Sequence, residues 1–77
     1  MAKCNITNNI RRLRFNTDEM TQQQLADKVG ASRQTIVAIE KGNYSPSLEL
    51  AFRIAHVFNI SLDEVFSYDP PIDKKNT

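Results

Sequence analysis

Apolar residues recur at helical spacing in five short stretches, each bounded by polar capping and turn residues. Ile6, Ile10 and Leu13 mark one face of a first helix predicted over 7–15, with three arginines interleaved. Asn16-Thr17-Asp18-Glu19 reads as a polar connection. Thr21 stands three residues before Gln24, a spacing in which the hydroxyl caps a helix and the amide reaches back to the cap. A second helix is therefore expected over 22–29, with Leu25, Ala26 and Val29 on one face. Gly30 suits the left-handed residue that ends a helix, and Ser32 is a strong N-cap for a third helix. That third helix, 33–41, should bury Ile36 and Ile39, close at Gly42 and carry Arg33, Gln34, Thr35 and Ala38 on its other face.

Asn43-Tyr44-Ser45-Pro46 is a loop, because the residue before a proline resists helix and its neighbours favour turns. Ser47 or Ser45 then caps a fourth helix. Its broad stripe of Leu48, Ala51, Ile54, Ala55 and Phe58 marks it as the central helix, ending at Asn59. Ser61 caps a fifth, with Leu62, Val65 and Phe66 as buried candidates. From Asp69 onward the paired prolines and the polar run to Thr77 read as a tail. The expectation is one all-α domain of five helices over 1–68, followed by a polar tail over 69–77.

Length and composition narrow the function more than they change this picture. Seventy-seven residues lie near the lower limit for one hydrophobic core without staples, so a partner subunit is an option from the start. No apolar run approaches the ~20 residues of a membrane helix, and the start of the chain has no signal-peptide core, which points to the cytoplasm. Cys4 has no second cysteine to pair with, nothing beside it marks it as a redox sensor, and the lone His56 reads as a surface residue. Metal, cofactor and small-molecule ligand are accordingly not expected. No nucleophile set or phosphate-cradling loop is present, which argues against an enzyme.

The net charge of +1 conceals a division along the chain. Residues 1–41 hold seven cations against four acids, net +3, whereas residues 42–77 hold three against five, net −2. The basic half suits phosphate and the acidic half suits a surface turned away from it.

Two short helices joined by a tight glycine turn form a helix-turn-helix, in which the second helix enters the major groove of DNA. The segment 21–42 matches throughout. Met20-Thr21-Gln22-Gln23-Gln24-Leu25-Ala26, Val29-Gly30, Ser32-Arg33-Gln34-Thr35-Ile36, Ile39-Glu40-Lys41-Gly42 and Pro46-Ser47-Leu48 with Ile54-Ala55 together resemble the phage-repressor and Cro-type regulators, above all the short stand-alone ones. The resemblance covers about residues 6–68.

It implies that Arg33, Gln34 and Thr35 read base edges, with Ala38 at a further reading position where many relatives carry a longer polar side chain. The chemistry agrees: arginine suits guanine, glutamine suits adenine, and a threonine methyl suits thymine. Phosphate contacts fall to Gln22, Ser32, Lys41, Asn43 and Tyr44. Arg14 and Glu40 are implied as an internal ion pair, while Arg11 and Arg12 stay in solvent. The connection after the first helix departs from the family pattern, being about one residue longer and lacking its common glycine.

The expected partner is double-stranded DNA, bound by a homodimer, since one recognition helix gives limited affinity. Phe66 and Tyr68 are the expected interface residues, alongside a short two-stranded pairing of Lys3–Asn5 with Ser67–Asp69. The expected action is repression by occupancy. The rival is an antitoxin-like module that binds a partner protein through the tail and controls its own synthesis.

Overall fold

A computed structural model describes residues 5–68 and residue 70. Its elements run β1 (Ile6–Asn8), α1 (Ile10–Phe15), α2 (Gln22–Val29), α3 (Arg33–Glu40), α4 (Leu48–Phe58), α5 (Leu62–Val65) and β2 (Phe66–Tyr68). Five helices form as the apolar periodicity predicts, with a short antiparallel sheet closing the two ends of the domain. Cys4 and most of the expected tail fall outside the described residues.

Caps set the boundaries of the middle helices. Thr21 Oγ1 accepts from Gln24 N–H at 3.0 Å, and Gln24 Oε1 accepts from Thr21 N–H at 2.9 Å. Two of the orphan donors at the start of α2 are thus satisfied reciprocally. Gly30 ends α2 at φ +73°, a region costly to any residue with a Cβ. Ser32 and Ser47 accept from Thr35 N–H and Leu50 N–H at the starts of α3 and α4, each at 3.1 Å. Asn59 takes the left-handed conformation that ends α4.

One core joins these elements. Ile10, Leu25, Ala26, Ile36, Ile54 and Val65 have no exposed surface, and Val29, Ile39 and Ala55 are almost as deep. α2 packs on both α3 and α4, with Ala26 buried in the shared core. Met20, in the connection before α2, is also buried.

The structure corrects the sequence reading at four places. Residues 7–9 are not helical: Asn8 Oδ1 accepts from Ile10 N–H at 3.1 Å, and this local bond gives the backbone an alternative to another helical turn. The strand pairing is intrachain and uses Ile6–Asn8 with Phe66–Tyr68, in the register Ile6↔Tyr68, Thr7↔Ser67 and Asn8↔Phe66. The expected pairing began three residues earlier, on Lys3 and Cys4, which lie outside the described residues. Phe66 is the first residue of β2, half-buried against the core, instead of the last of α5. Leu48 is exposed. It stands six residues from Ile54, about 120° around the helix, whereas Leu50, four residues away, falls about 40° from Ile54 and packs on the core.

Candidate nucleic-acid interface

α3 is held at its buried side by Ile36 and Ile39, so its opposite side projects from the domain. Arg33, Gln34 and Ser32 are exposed, and Thr35, Val37 and Ala38 are half-exposed. Arg33, Gln34, Val37, Ala38, Lys41 and Asn43 line one shallow open groove along this side. The helical repeat places 33–34, 37–38 and 41 in successive turns of one stripe, which accounts for the grouping. Tyr44 follows in the loop and is exposed.

The end of α3 is turned sharply. Gly42 N–H donates to Ile39 O and Asn43 N–H to Ala38 O, both at 3.0 Å, with Gly42 at φ +78°. This closure brings Asn43 back beside Ala38, so residues of the loop share the groove with residues of the helix.

Not every polar residue of the expected set is free in the unliganded chain. The Ser32 hydroxyl caps α3 and lies 2.9 Å from Thr35 Oγ1, so these two hydroxyls are partnered with each other. Gln22 Nε2 donates to Glu40 Oε1 at 3.2 Å.

That bond joins Gln22 to a bidentate ion pair. Arg14 Nε donates to Glu40 Oε2 at 2.7 Å and Nη2 to Oε1 at 3.1 Å, with the two side chains only 14% and 9% exposed. Arg14 Nη1 also donates to Met20 O at 2.8 Å. One guanidinium thereby ties α1, the connection before α2 and the last turn of α3. Two parallel bonds fix orientation as well as distance, which a lysine could not do.

Two further braces carry no sequence motif and were not anticipated. Asn8 Nδ2 donates to Ile39 O at 2.9 Å, anchoring the terminal sheet to the C-terminal turn of α3. Arg53 Nη1 donates to Val29 O at 3.2 Å, at the end of α2, while its Nη2 pairs with Glu49 at 2.6 Å. The Arg53 head lies so close to the turn that a Cβ on Gly30 would stand 3.4 Å from Nη1. Both are long-range bonds, from a half-buried asparagine of β1 and an exposed arginine of α4, and periodicity carries no signal for them.

Val37, half-exposed, has no place in the sequence reading. It borders both the α3 groove and a second groove that passes Gln22, Glu40 and Lys41. Phe66 packs partly into its own core while Tyr68 is exposed. Among the described residues there is no cluster of side chains that could hold a metal ion, and no helix is long and apolar enough to cross a membrane.

This arrangement is matched in known proteins. Residues 16–65 match the helix-turn-helix family. An uncharacterized HTH-type transcriptional regulator of Methanocaldococcus jannaschii is 56% identical over 50 residues, which span 65% of this chain and 76% of that protein. The transcriptional repressor RstR of the cryptic phage CTXphi in Vibrio cholerae is 34% identical over 67 residues, spanning 86% of this chain and 60% of the repressor. A solved transcriptional regulator of Listeria innocua shares the fold at a TM-score of 0.65 with 18% identity, covering 88% of this chain and 66% of that one. A second solved protein, from Bacteroides fragilis, superposes at a TM-score of 0.68 with 22% identity, covering 80% of this chain and 98% of that one. With the motif at 21–42 folded on one core and the match extending over most of its length, the chain belongs to the helix-turn-helix family of DNA-binding transcriptional regulators.

Proposed function

We propose that this regulator is a sequence-specific repressor that binds an inverted-repeat operator as a homodimer and acts by occupying a promoter. The observation that carries the reading is the stripe of Arg33, Gln34, Val37, Ala38 and Lys41 on a helix whose other side is locked into the core. Arg33 and Gln34 supply the bidentate donors and acceptors that distinguish guanine and adenine, and Thr35 and Ala38 complete the reading edge. Lys41, Asn43 and Tyr44 sit where the groove opens toward the backbone and take phosphate contacts. Ser32 contributes through the N-terminus of α3, since its hydroxyl is engaged in the cap. Gln22 exchanges Glu40 for a phosphate when DNA arrives, leaving Arg14 as the permanent partner of Glu40.

Residues 1–68 form the functional unit and 69–77 an appendage. Tyr68, with the outer edge of Phe66, contributes to the subunit contact. The unit binds and does not catalyse: the polar side chains of the stripe, Arg33, Gln34 and Lys41, are exposed and include no nucleophile–base pair. A repressor name among the relatives favours repression over activation.

The test is selection of bound duplexes from a random pool at near-physiological salt. Enrichment of an inverted repeat with half-sites about one helical turn apart supports the reading. Salt-sensitive binding without enrichment refutes it, leaving generic affinity for the phosphate backbone.

A further inference from the structure

On the side that lines this groove, the second turn of α3 presents no long polar side chain. Between Arg33 and Gln34 on one side and Lys41 and Asn43 on the other, the floor of the groove consists of Val37 and Ala38, both half-exposed. We infer that this two-residue apolar step is a specificity element that takes the C5-methyl group of a pyrimidine, thymine or 5-methylcytosine, near the middle of each half-site. The inference rests on the assignment of α3 as the reading helix.

The argument is one of complementarity. Base edges in the major groove offer donors and acceptors, and the one apolar group among them is the C5-methyl. Val37 and Ala38 have methyl groups alone to present. Opposite an unmethylated cytosine or uracil they would cover groove surface without gaining apolar contact. Opposite a C5-methyl they bury it, a gain of about fourfold in affinity per methyl on the ordinary scale for one carbon. Ala38 is small enough to let the α3 backbone approach the base pair, and Val37 flanks it with a side chain of fixed rotamer, so the step is shaped as well as apolar. Thr35 is the other methyl-bearing residue of the helix that is not buried, since Ile36 and Ile39 face the core. Its hydroxyl is tied to Ser32 in the cap, one turn away from this step.

The inference is tested on the operator duplex obtained by selection, with each thymine replaced singly by uracil, which removes the methyl and keeps the pairing edge. The expected result is a loss of about fourfold at one position in each half-site, recovered when that pair is changed to 5-methylcytosine with guanine but not to cytosine with guanine. In Val37→Ala and Ala38→Ser proteins, the ratio of affinities for the thymine and uracil duplexes should fall toward one. Because each ratio is taken within one folded protein, a general loss of stability does not mimic the effect. A Lys28→Ala protein, altered on α2 outside this groove, should retain the wild-type ratio. The inference is overturned if every uracil substitution is neutral in the wild type, or if the ratio at the affected position survives unchanged in the Val37 and Ala38 variants. Failure to recover any operator would overturn the reading of α3 itself, and is thereby distinguished from failure of the apolar step on a duplex that is bound specifically.

Discussion

Arg14 is the residue through which the most structure passes. Its guanidinium holds Glu40 by two bonds and Met20 O by a third, in a site nearly closed to water. Removing one partner of such a pair strands the other without solvent, so Arg14→Ala should lower unfolding stability by about 3 kcal/mol. Combining Arg14→Met with Glu40→Leu should restore much of it, and chemical denaturation of the three variants checks both statements. Asp18 and Glu19 make the opposite case, with φ of 56° and 53° in the left-handed region that glycine tolerates best. Glu19→Gly should relieve the steric cost of about 1 kcal/mol and give back part of it as unfolded-chain entropy, a net gain of about 0.5 kcal/mol. A rise in melting temperature of a few degrees is the expected reading, and a fall would refute it. On DNA, Arg33→Ala should cost about 2 kcal/mol on the operator and relax choice at one base pair, whereas Lys41→Ala should weaken operator and random duplex alike. Equal losses on random DNA for both variants would defeat this division of roles.

At the scale of the element, α3 is short and depends on what surrounds it. A helix of eight residues does not hold in water by itself, so its position is a tertiary property. Ile36 and Ile39 bury one side, the Ser32 cap fixes the start, and Asn8 and the Arg14–Glu40 pair fix the end. Ser32→Ala should destabilise the domain by about 1 kcal/mol, while Ser32→Gly should cost only a few tenths. Thermal melts of the two variants separate a capping role from a phosphate-binding one, because only the latter leaves the melt unchanged and alters DNA affinity alone. The approach of α2 to α3 was legible from Ala26 and Gly30. The ties from Asn8 and Arg53 were not, since a hydrogen bond across 31 or 24 residues leaves no periodic trace.

For the molecule as a whole, the terminal sheet matters most. β1 and β2 bring the ends of the domain together and present Tyr68 at the surface beside half-buried Phe66. A homodimer reading two half-sites must keep their two reading helices on one face of the duplex. Inserting five base pairs, half a helical turn, between the half-sites should therefore abolish tight binding, while ten should partly restore it. Gel-shift titrations of the spacer series check this, and indifference to the spacer would show that each subunit binds alone.

The sequence by itself determined the five apolar periods, the Thr21 and Ser32 caps, the Gly30 turn and the candidate reading edge of α3. These are local properties: spacing, capping chemistry and left-handed backbone act within a few residues and are written where they act. Tertiary structure alone decided that Thr7 and Asn8 belong to a strand, that Leu50 replaces Leu48 against the core, and that Gln22 is bonded to Glu40. It also brought Val37 to the floor of the groove beside Asn43. Each of those outcomes is a choice between partners distant in the chain, settled by which arrangement buries apolar area and, among the described residues, leaves no buried polar side chain unsatisfied.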